Sequence, residues 1–279
     1  MLIEKLGLKP RPSRTAFLDI SIMNNHLTIT LNHISKIYAN GTVALQDLNL
    51  AIPEAQFVSL VGPSGCGKST VLRLIAGLGR ESSGSIDWGF PPQVRKLAFV
   101  FQDAALMPWA TVRENIRLPL KLAKVPQKDA NSLVEQTLAL VGLEKFEHCY
   151  PRELSGGMKM RVSIARALVT QPNILLMDEP FGALDEITRS KLNSDLLDLW
   201  QQHHWTVVFV THNIYEAVYL SNRVLVMGTN PGRIVADIEI DAPYPRSEAF
   251  RTSSVYIEYC RKVSQSLAVA MNHPQTTAF

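Results

Sequence analysis

Residues 62–70 read Gly62-Pro63-Ser64-Gly65-Cys66-Gly67-Lys68-Ser69-Thr70, and this stretch decides the fold. It has the spacing G-x-x-x-x-G-K-[ST], with Lys68 and Ser69 in the last two places. An apolar run, Phe57-Val58-Ser59-Leu60-Val61, precedes it, and a helix-like run from Val71 to Ala76 follows. Strand, glycine-rich loop and helix, in that order, form the setting in which this pattern binds phosphate. The glycines let the backbone curl so that successive N–H groups point at phosphate oxygens, and the helix N-terminus adds positive partial charge. In this setting Lys68 reaches the β- and γ-phosphates of a nucleotide and the Ser69 hydroxyl holds Mg²⁺. The pattern arises by chance in roughly one chain of this length in a hundred, so an ordinary glycine-rich turn is the weaker reading.

The chain around the motif has 279 residues, enough for one large core with room for an inserted subdomain. Its formal charge of +3 is mild and argues against a dedicated nucleic-acid binder. The three cysteines, Cys66, Cys149 and Cys260, are widely spaced and contain no C-x-x-C pair. Neither a disulfide framework nor a zinc site is indicated, and a reducing, cytosolic compartment fits. No run of about 18 uncharged apolar residues is present, so the chain is not expected to cross a membrane by itself. Residues 1–22 make a poor signal peptide and are expected to be either a disordered extension or an overlong choice of start site, with Met23 beginning a segment that reads like a natural domain start and the extension taken to run to residue 24.

Alternation in Leu27–Leu31 and Leu48–Ile52 predicts strands before the motif, and Gly84–Trp88 and Leu97–Phe101 predict two more after it. Pro91-Pro92 separates that last pair. The stretch from about 103 to 170 then turns helical. Thr111 caps a helix over 112–122, with Glu114 as its capping-box partner, and Pro119 should kink or shorten it. Further helices are expected over 127–141, 156–170 and 186–203, the last burying Ile187, Leu192, Leu196 and Trp200 on one face. Apolar runs at Ile174–Met177 and Thr206–Val210 complete a parallel sheet covered on both faces. The fold class is therefore α/β, a nucleotide-binding core interrupted by a helical subdomain.

Two further constellations bear on chemistry. Ile174-Leu175-Leu176-Met177-Asp178-Glu179 is an apolar strand ending in two acids. In a parallel sheet its carboxyl end lies beside the phosphate loop, so Asp178 would bind Mg²⁺ through water and Glu179 would polarise a water attacking the γ-phosphate. Leu154-Ser155-Gly156-Gly157-Met158 opens the helix over 156–170 and offers a second set of backbone donors and a hydroxyl to an anion.

With all three motifs on one chain, residues 26–270 resemble the ATP-binding subunits of ABC transporters. Met158 stands where the commonest form of that family's signature carries glutamine. The resemblance implies a P-loop (RecA-like) core with an antiparallel β-subdomain over residues 25–245, a helical subdomain at about 103–170, and a C-terminal helix and tail over 246–279. It also implies four site assignments. Tyr38 stacks on adenine, and Gln102 touches Mg²⁺ and the attacking water. Ala183-Leu184-Asp185 crosses between two subunits, and His212 contacts the γ-phosphate. The catalytic set is then Glu179, His212, Lys68 and Gln102; the nucleotide is held by Tyr38, Gly62 to Thr70, and Ser155, Gly156 and Gly157; the Mg²⁺ ligands are Ser69, Gln102 and Asp178. The implied mechanism is a head-to-tail dimer holding two ATP molecules, each gripped by the phosphate loop of one copy and the Ser155–Gly157 turn of the other.

The implied partners are membrane permease subunits and, indirectly, a solute-binding protein, at the cytoplasmic face of the plasma membrane. Leu106, Met107, Pro108 and Trp109 are candidates to line a groove for a permease helix, or else cover the subdomain's own core. Within the family, Met158, Ala105–Trp109, Asn230–Ile234 and Asp241–Arg246 look most like ATPase subunits of nitrate, sulfonate and taurine importers. Another small solute remains an alternative, and a soluble ATPase acting on DNA or ribosomes is a further one, disfavoured by the lack of a long coiled coil or a second cassette. A non-catalytic nucleotide-binding regulator is disfavoured because Glu179 and His212 are both present. His203 and His204 read as a pair favoured by a helix C-terminus, and Cys66 as a packing residue whose thiol is open to alkylation in the nucleotide-free protein.

Overall fold

The wholly apolar runs of the sequence become strands of a mainly parallel sheet buried on both faces. The computed structural model describes residues 27–229 and 231–272. The expectations for residues 1–24, for Asn230 and for the last seven residues lie outside these. The sheet contains β3 (Phe57–Val61), β5 (Leu97–Val100), β6 (Ile174–Asp178), β7 (Thr206–Val210), β8 (Arg223–Gly228) and β9 (Arg233–Glu239). Their spatial order is β5-β6-β7-β3-β8-β9, parallel except for β9, which runs antiparallel to β8. A second, antiparallel sheet has the order β2-β1-β4, from β1 (Leu27–Ile37), β2 (Val43–Pro53) and β4 (Ser83–Trp88). The helices are α1 (Lys68–Ile75), α2 (Val112–Leu122), α3 (Gln127–Val141), α4 (Gly156–Leu168), α5 (Glu186–His203), α6 (Ile214–Leu220), α7 (Glu248–Arg251) and α8 (Ser254–Asn272).

The two-residue period sorts the strand side chains into two cores. Phe57 and Val61 of β3, Leu175 and Met177 of β6, Val207 and Phe209 of β7, and Val224 and Val226 of β8 face a cluster shared with α4, α5, α6 and α8. Their neighbours Val58, Leu60, Leu176, Val208, Val210, Leu225 and Met227 face the opposite cluster, shared with α1 and the antiparallel sheet. Phe181 is fully enclosed in the first cluster, a burial worth about 2–3 kcal/mol. A third core joins Val112, Ile116 and Leu120 of α2 to Val134 and Leu138 of α3 and to Val162 and Ala165 of α4. α4 therefore belongs to both the helical layer and the sheet's cover.

The helix starts follow their local chemistry. Thr111 caps α2 with the expected box: its hydroxyl accepts from the Glu114 N–H, and the Glu114 carboxylate accepts from the Thr111 N–H at 2.7 Å. Pro119 does not end α2, which runs on to Leu122, and the Pro119 carbonyl still accepts from the Ala123 N–H. In the last turn only one backbone donor is lost to the ring. α5 buries Leu192, Leu196 and Trp200 as expected, but Ile187 is 85% exposed. Five residues separate Ile187 from Leu192, and at 100° per residue that spacing turns Ile187 off the buried face. β1 and β2 are longer than their alternation predicts because the register shifts between Leu31 and Ile34, where His33 has φ +50°. A bulge breaks the apolar period without ending the strand.

The C-terminal segment is fastened by one buried cation. Arg246 is 4% exposed, and its guanidinium donates to the carbonyls of Val218, Tyr219 and Ser221, each at 2.9 Å. Those carbonyls lie at the C-terminus of α6, where a positive charge also meets the negative end of the helix dipole. The Tyr244 ring lies under the guanidinium at 4.2 Å. We expect Arg246→Met to cost about 3 kcal/mol by leaving several buried carbonyls without donors. Urea unfolding reads this directly, and an unchanged midpoint would contradict the staple.

Candidate nucleotide-binding site

β3 lies inside the sheet between β7 and β8, and β6 flanks β7. The register sets Asp178 of β6 opposite Val210 of β7, which in turn stands opposite Leu60 of β3. The phosphate loop, the Asp178-Glu179 pair and His212 therefore leave the sheet at one edge, where the carboxyl ends of parallel strands form a ligand crevice.

The loop has no room for side chains where glycines stand. Gly67, the N-cap of α1, has φ +97°, and a Cβ there would lie 2.6 Å from the Leu45 side chain and 2.9 Å from the Ala44 carbonyl. A Cβ on Gly62 would lie 2.7 Å from both Cys66 Sγ and the Met227 carbonyl. Only glycine meets both conditions, positive φ and close approach, at position 67. Lys68 is 6% exposed, and its ammonium donates to the carbonyls of Gly62 at 2.8 Å and Pro63 at 3.0 Å. The lysine is thus folded over its own loop with its charge met by carbonyl dipoles.

Beside the loop, the Ser69 hydroxyl donates to Asp178 Oδ1 at 2.9 Å. Burial raises the Asp178 carboxyl above its ordinary pKa; the Ser69 bond works against this, and the nearby Glu179 adds to it. A hydroxyl and a carboxylate side by side are hard oxygen donors of the kind Mg²⁺ takes alongside phosphate and water. Glu179 sits at φ +47°, its N–H held by the Val210 carbonyl at 2.9 Å. Its carboxylate lies 3.1 Å from His212 Nδ1. A carboxylate only accepts, so Nδ1 carries the proton in this contact. Gly182 is packed between His212 and Gln102: a Cβ on it would lie 3.5 Å from the imidazole and 3.8 Å from the Gln102 amide.

Tyr38, at the end of β1, is 39% exposed and its hydroxyl lies 3.1 Å from Thr70 Oγ1. The phenol hydroxyl is thereby set beside the first turn of α1. The second candidate anion site is elsewhere. Ser155 caps α4, accepting from the Met158 N–H at 3.3 Å, and Gly157 is packed against Thr188 of α5, which a Cβ would approach to 2.5 Å. The phosphate loop is packed instead against β2 and β8.

A family profile described as ABC transporter matches residues 45–182. The chain is 45% identical over 245 residues to the aliphatic sulfonates import ATP-binding protein of a Bacillus cereus strain, covering 86% of this chain and 95% of that one. The chain belongs to the ABC transporter family. It is an ABC-type ATPase that binds ATP. Among solved structures, the dimeric, post-hydrolysis state of the ATP-binding cassette MJ0796 with ADP and Pi superimposes with a TM-score of 0.67 at 32% identity, covering 77% of this chain and 100% of that one. CbiO1 from Clostridium perfringens, described as part of the transporter complex cbiONQ, gives 0.71 at 25% identity over 86% of this chain and 98% of that one.

Against this ABC fold, the sequence-predicted residues divide into two groups. Tyr38, the Gly62–Thr70 loop, Gln102, Asp178, Glu179 and His212 stand around one edge of the sheet, while Ser155, Gly156 and Gly157 open a different layer. Cys66 is 1% exposed and burial pushes its thiol pKa up, more than the nearby Lys68 charge lowers it. The expected reactivity toward alkylating reagents is therefore not supported, and packing is its role. His203 stacks on Trp205 at 4.7 Å, and burial lowers its pKa, which works against the helix-end charge that its position suggested. The docking candidates split as well: Trp109 is 76% exposed, whereas Leu106 packs on the helical core. Sequence reading missed Thr211, Glu216 and Arg189, which hold the loop ends from behind. The capping spacing from Asn213 to Glu216 was the available signal.

Asp178 has a raised folded-state pKa, so its ionisation opposes folding of the nucleotide-free protein. Such a group favours the fold below its unfolded pKa, and that contribution is lost as pH rises through the folded value. Asp178→Asn keeps the acceptor for Ser69 and removes the charge. At neutral to alkaline pH it should raise the Tm of the nucleotide-free protein, a gain that shrinks as the pH falls through the raised folded-state pKa of Asp178. A Tm difference independent of pH would refute this account.

Proposed function

We propose that this protein is the ATP-hydrolysing subunit of an importer that takes up a small oxyanion or organosulfonate through a separate permease. The observation that carries the solute class is the identity with the Bacillus cereus sulfonate import protein along 95% of that protein's length. The surface exposed at Trp109 supports contact with a permease. Among the described residues no helix is long and apolar enough to cross a membrane. In this reading the chain is held at the cytoplasmic face of the membrane by its permease partners, and meets the solute-binding protein only through them.

The working unit is a pair of copies. The phosphate loop of one copy, from Gly62 to Thr70, grips the phosphates; Tyr38 stacks on the adenine; and Ser155, Gly156 and Gly157 of the other copy close over the γ-phosphate. Lys68 exchanges its loop carbonyls for β- and γ-phosphate oxygens, which keeps a buried ammonium satisfied at every stage. Ser69, Asp178 and Gln102 would hold a Mg²⁺ ion, which would supply positive charge to offset that on the phosphate oxygens. The Glu179 carboxylate takes the proton of the attacking water, and His212, held against it, steadies the γ-phosphate. Closure of the pair excludes bulk water and completes the site.

Glu179→Gln should lower turnover by about 10²-fold or more while ATP binding persists, as expected for loss of a catalytic base. Near-normal hydrolysis would remove Glu179 from this role. For the solute, the complex should be purified with its permease from membranes and its ATPase rate measured with sulfonates, taurine or nitrate and the binding protein. Stimulation by some other solute class alone would overturn the oxyanion or organosulfonate assignment and leave the importer reading standing.

A further inference from the structure

Behind the Glu179–His212 pair, two segments that flank it are tied to one buried carboxylate. Glu216 lies in the first turn of α6 and is 5% exposed. Asn213 caps that helix, so the spacing alone would send the Glu216 side chain back to the Asn213 N–H as a capping box. It does not go there. The Thr211 hydroxyl takes that N–H at 2.9 Å and itself donates to Glu216 Oε2 at 2.5 Å. Glu216 Oε1 faces the Arg189 guanidinium of α5 at 3.7 Å and the Asn193 amide at 3.5 Å.

Arg189 in turn holds the turn that follows Glu179. Its Nη2 donates to the Leu184 carbonyl at 2.7 Å and its Nε to the Phe181 carbonyl at 3.3 Å. The Gly182 N–H closes that turn onto the Glu179 carbonyl at 3.1 Å. Thr211 is the residue before His212, and Phe181 and Leu184 bracket the chain leading from Glu179 toward Asp185. A single carboxylate–guanidinium pair therefore connects the segments carrying His212 and Glu179 through groups that do not face the crevice.

The buried charge makes a purely packing role an expensive one. An enclosed carboxylate is costly to desolvate, and the cost is recovered only when its partners are well placed. An apolar residue would fill the same space with fewer demands. What the polar set supplies is direction: each bond fixes a backbone carbonyl or a strand-end hydroxyl, and together they leave little freedom in the separation of His212 from the 181–185 turn.

We propose that Thr211, Glu216 and Arg189 are positioning residues for ATP hydrolysis, forming a relay that sets His212 against Glu179 and couples both to the Phe181–Asp185 turn. The proposal rests on the reading of Glu179 and His212 as the hydrolytic pair. Because Asp185 is expected to meet the second copy, the relay also carries the seating of that turn to His212.

The test uses the full chain with Mg-ATP, measuring kcat and KM, together with the affinity for a fluorescent ATP analogue. Thr211→Val keeps the shape and removes only the hydroxyl; it should lower kcat about tenfold while KM and analogue affinity stay within about twofold. Thr211→Ser restores the hydroxyl and should recover kcat. Glu216→Ala and Arg189→Ala should each lower kcat, and their double variant should fall no more than about threefold below the worse single one, as expected of coupled groups. Parental kcat in Thr211→Val, equal loss in Thr211→Val and Thr211→Ser, or losses that multiply in the double variant would each overturn the relay. If the alanine variants fail to fold, the valine–serine comparison decides alone. Glu179→Gln run in parallel separates the two levels: its normal turnover refutes the site itself, whereas parental Thr211→Val beside an inactive Glu179→Gln refutes only the relay.

Discussion

The close approach of backbone to backbone around the phosphate loop is the constraint on which the rest of the structure depends. Gly67 stands against Ala44 and Leu45 of β2, Gly62 against Met227 of β8, and Gly232 against the carbonyls of Cys66 and Ala44, where a Cβ would come within 2.3 and 2.5 Å. The Gln46 N–H and the Gly232 N–H each bond across this junction, to Gly232 and Ala44 carbonyls at 3.1 and 3.2 Å. The loop is thus wedged between the antiparallel sheet and the β8–β9 hairpin. Its curl is held by packing before any phosphate arrives, so the ordering cost is met during folding and not during binding. The same wedge fixes β1 relative to α1, which is how Tyr38 comes to lie beside Thr70.

The parallel sheet adds a second constraint, one of register. Five consecutive parallel strands bring their carboxyl ends to one edge, and the pairing of Asp178 with Val210 leaves Glu179 and His212 just beyond it. Placing Asp178 and Glu179 at such an edge is unfavourable for the empty protein, since burial and the neighbouring carboxylate both oppose the charge on Asp178. Lys68 and Arg73 offset part of it. An electrostatic cost retained at a site is best understood as preparation for a charged ligand, because the same carboxylate becomes an asset when a cation is present.

Much of this was legible in the sequence, for reasons that differ by residue. The phosphate-loop spacing, the acids ending β6 and the Thr111–Glu114 box are local signals whose meaning does not depend on distant contacts, and the helix boundaries of α3 and α5 follow from local periodicity and punctuation. Ile187 was misplaced because a face was drawn through a five-residue step. The bulge at His33 hid half of β1, since a positive φ at a histidine has no reliable sequence signature. Cys66 illustrates a different limit. A helix N-terminus promises a lowered thiol pKa, but burial in the cluster that also holds Leu45 and Met227 outweighs it, and that cluster draws on residues far away in the sequence. Glu216 and Arg189 were missed for the same reason: each looks like an ordinary helix-surface charge until α5 and α6 are packed together.

The division of the site between two layers has a mechanical consequence that follows from α4. Met160, Ile164, Ala167 and Leu168 bury against the sheet's cluster, while Val162, Ala165 and Val169 bury against α2 and α3. The helical layer therefore has no independent hinge face at α4; it must move with this helix or shear along one of two packed seams. Arg166, near the end of α4, donates to the carbonyls of Ala104 and Ala105 at 2.7 and 2.8 Å. Those carbonyls follow closely on Gln102, so the segment leaving β5 is tied to the same helix that carries Ser155 and Gly157 at its other end. α4 spans 13 residues, which at 1.5 Å per residue makes a rod of about 20 Å. A displacement at the Gln102 end would then be transmitted along a stiff element to the Ser155–Gly157 turn at its other end. Rigid linkage of this kind requires no change in the loop conformations themselves, only a shift of α4 against the sheet.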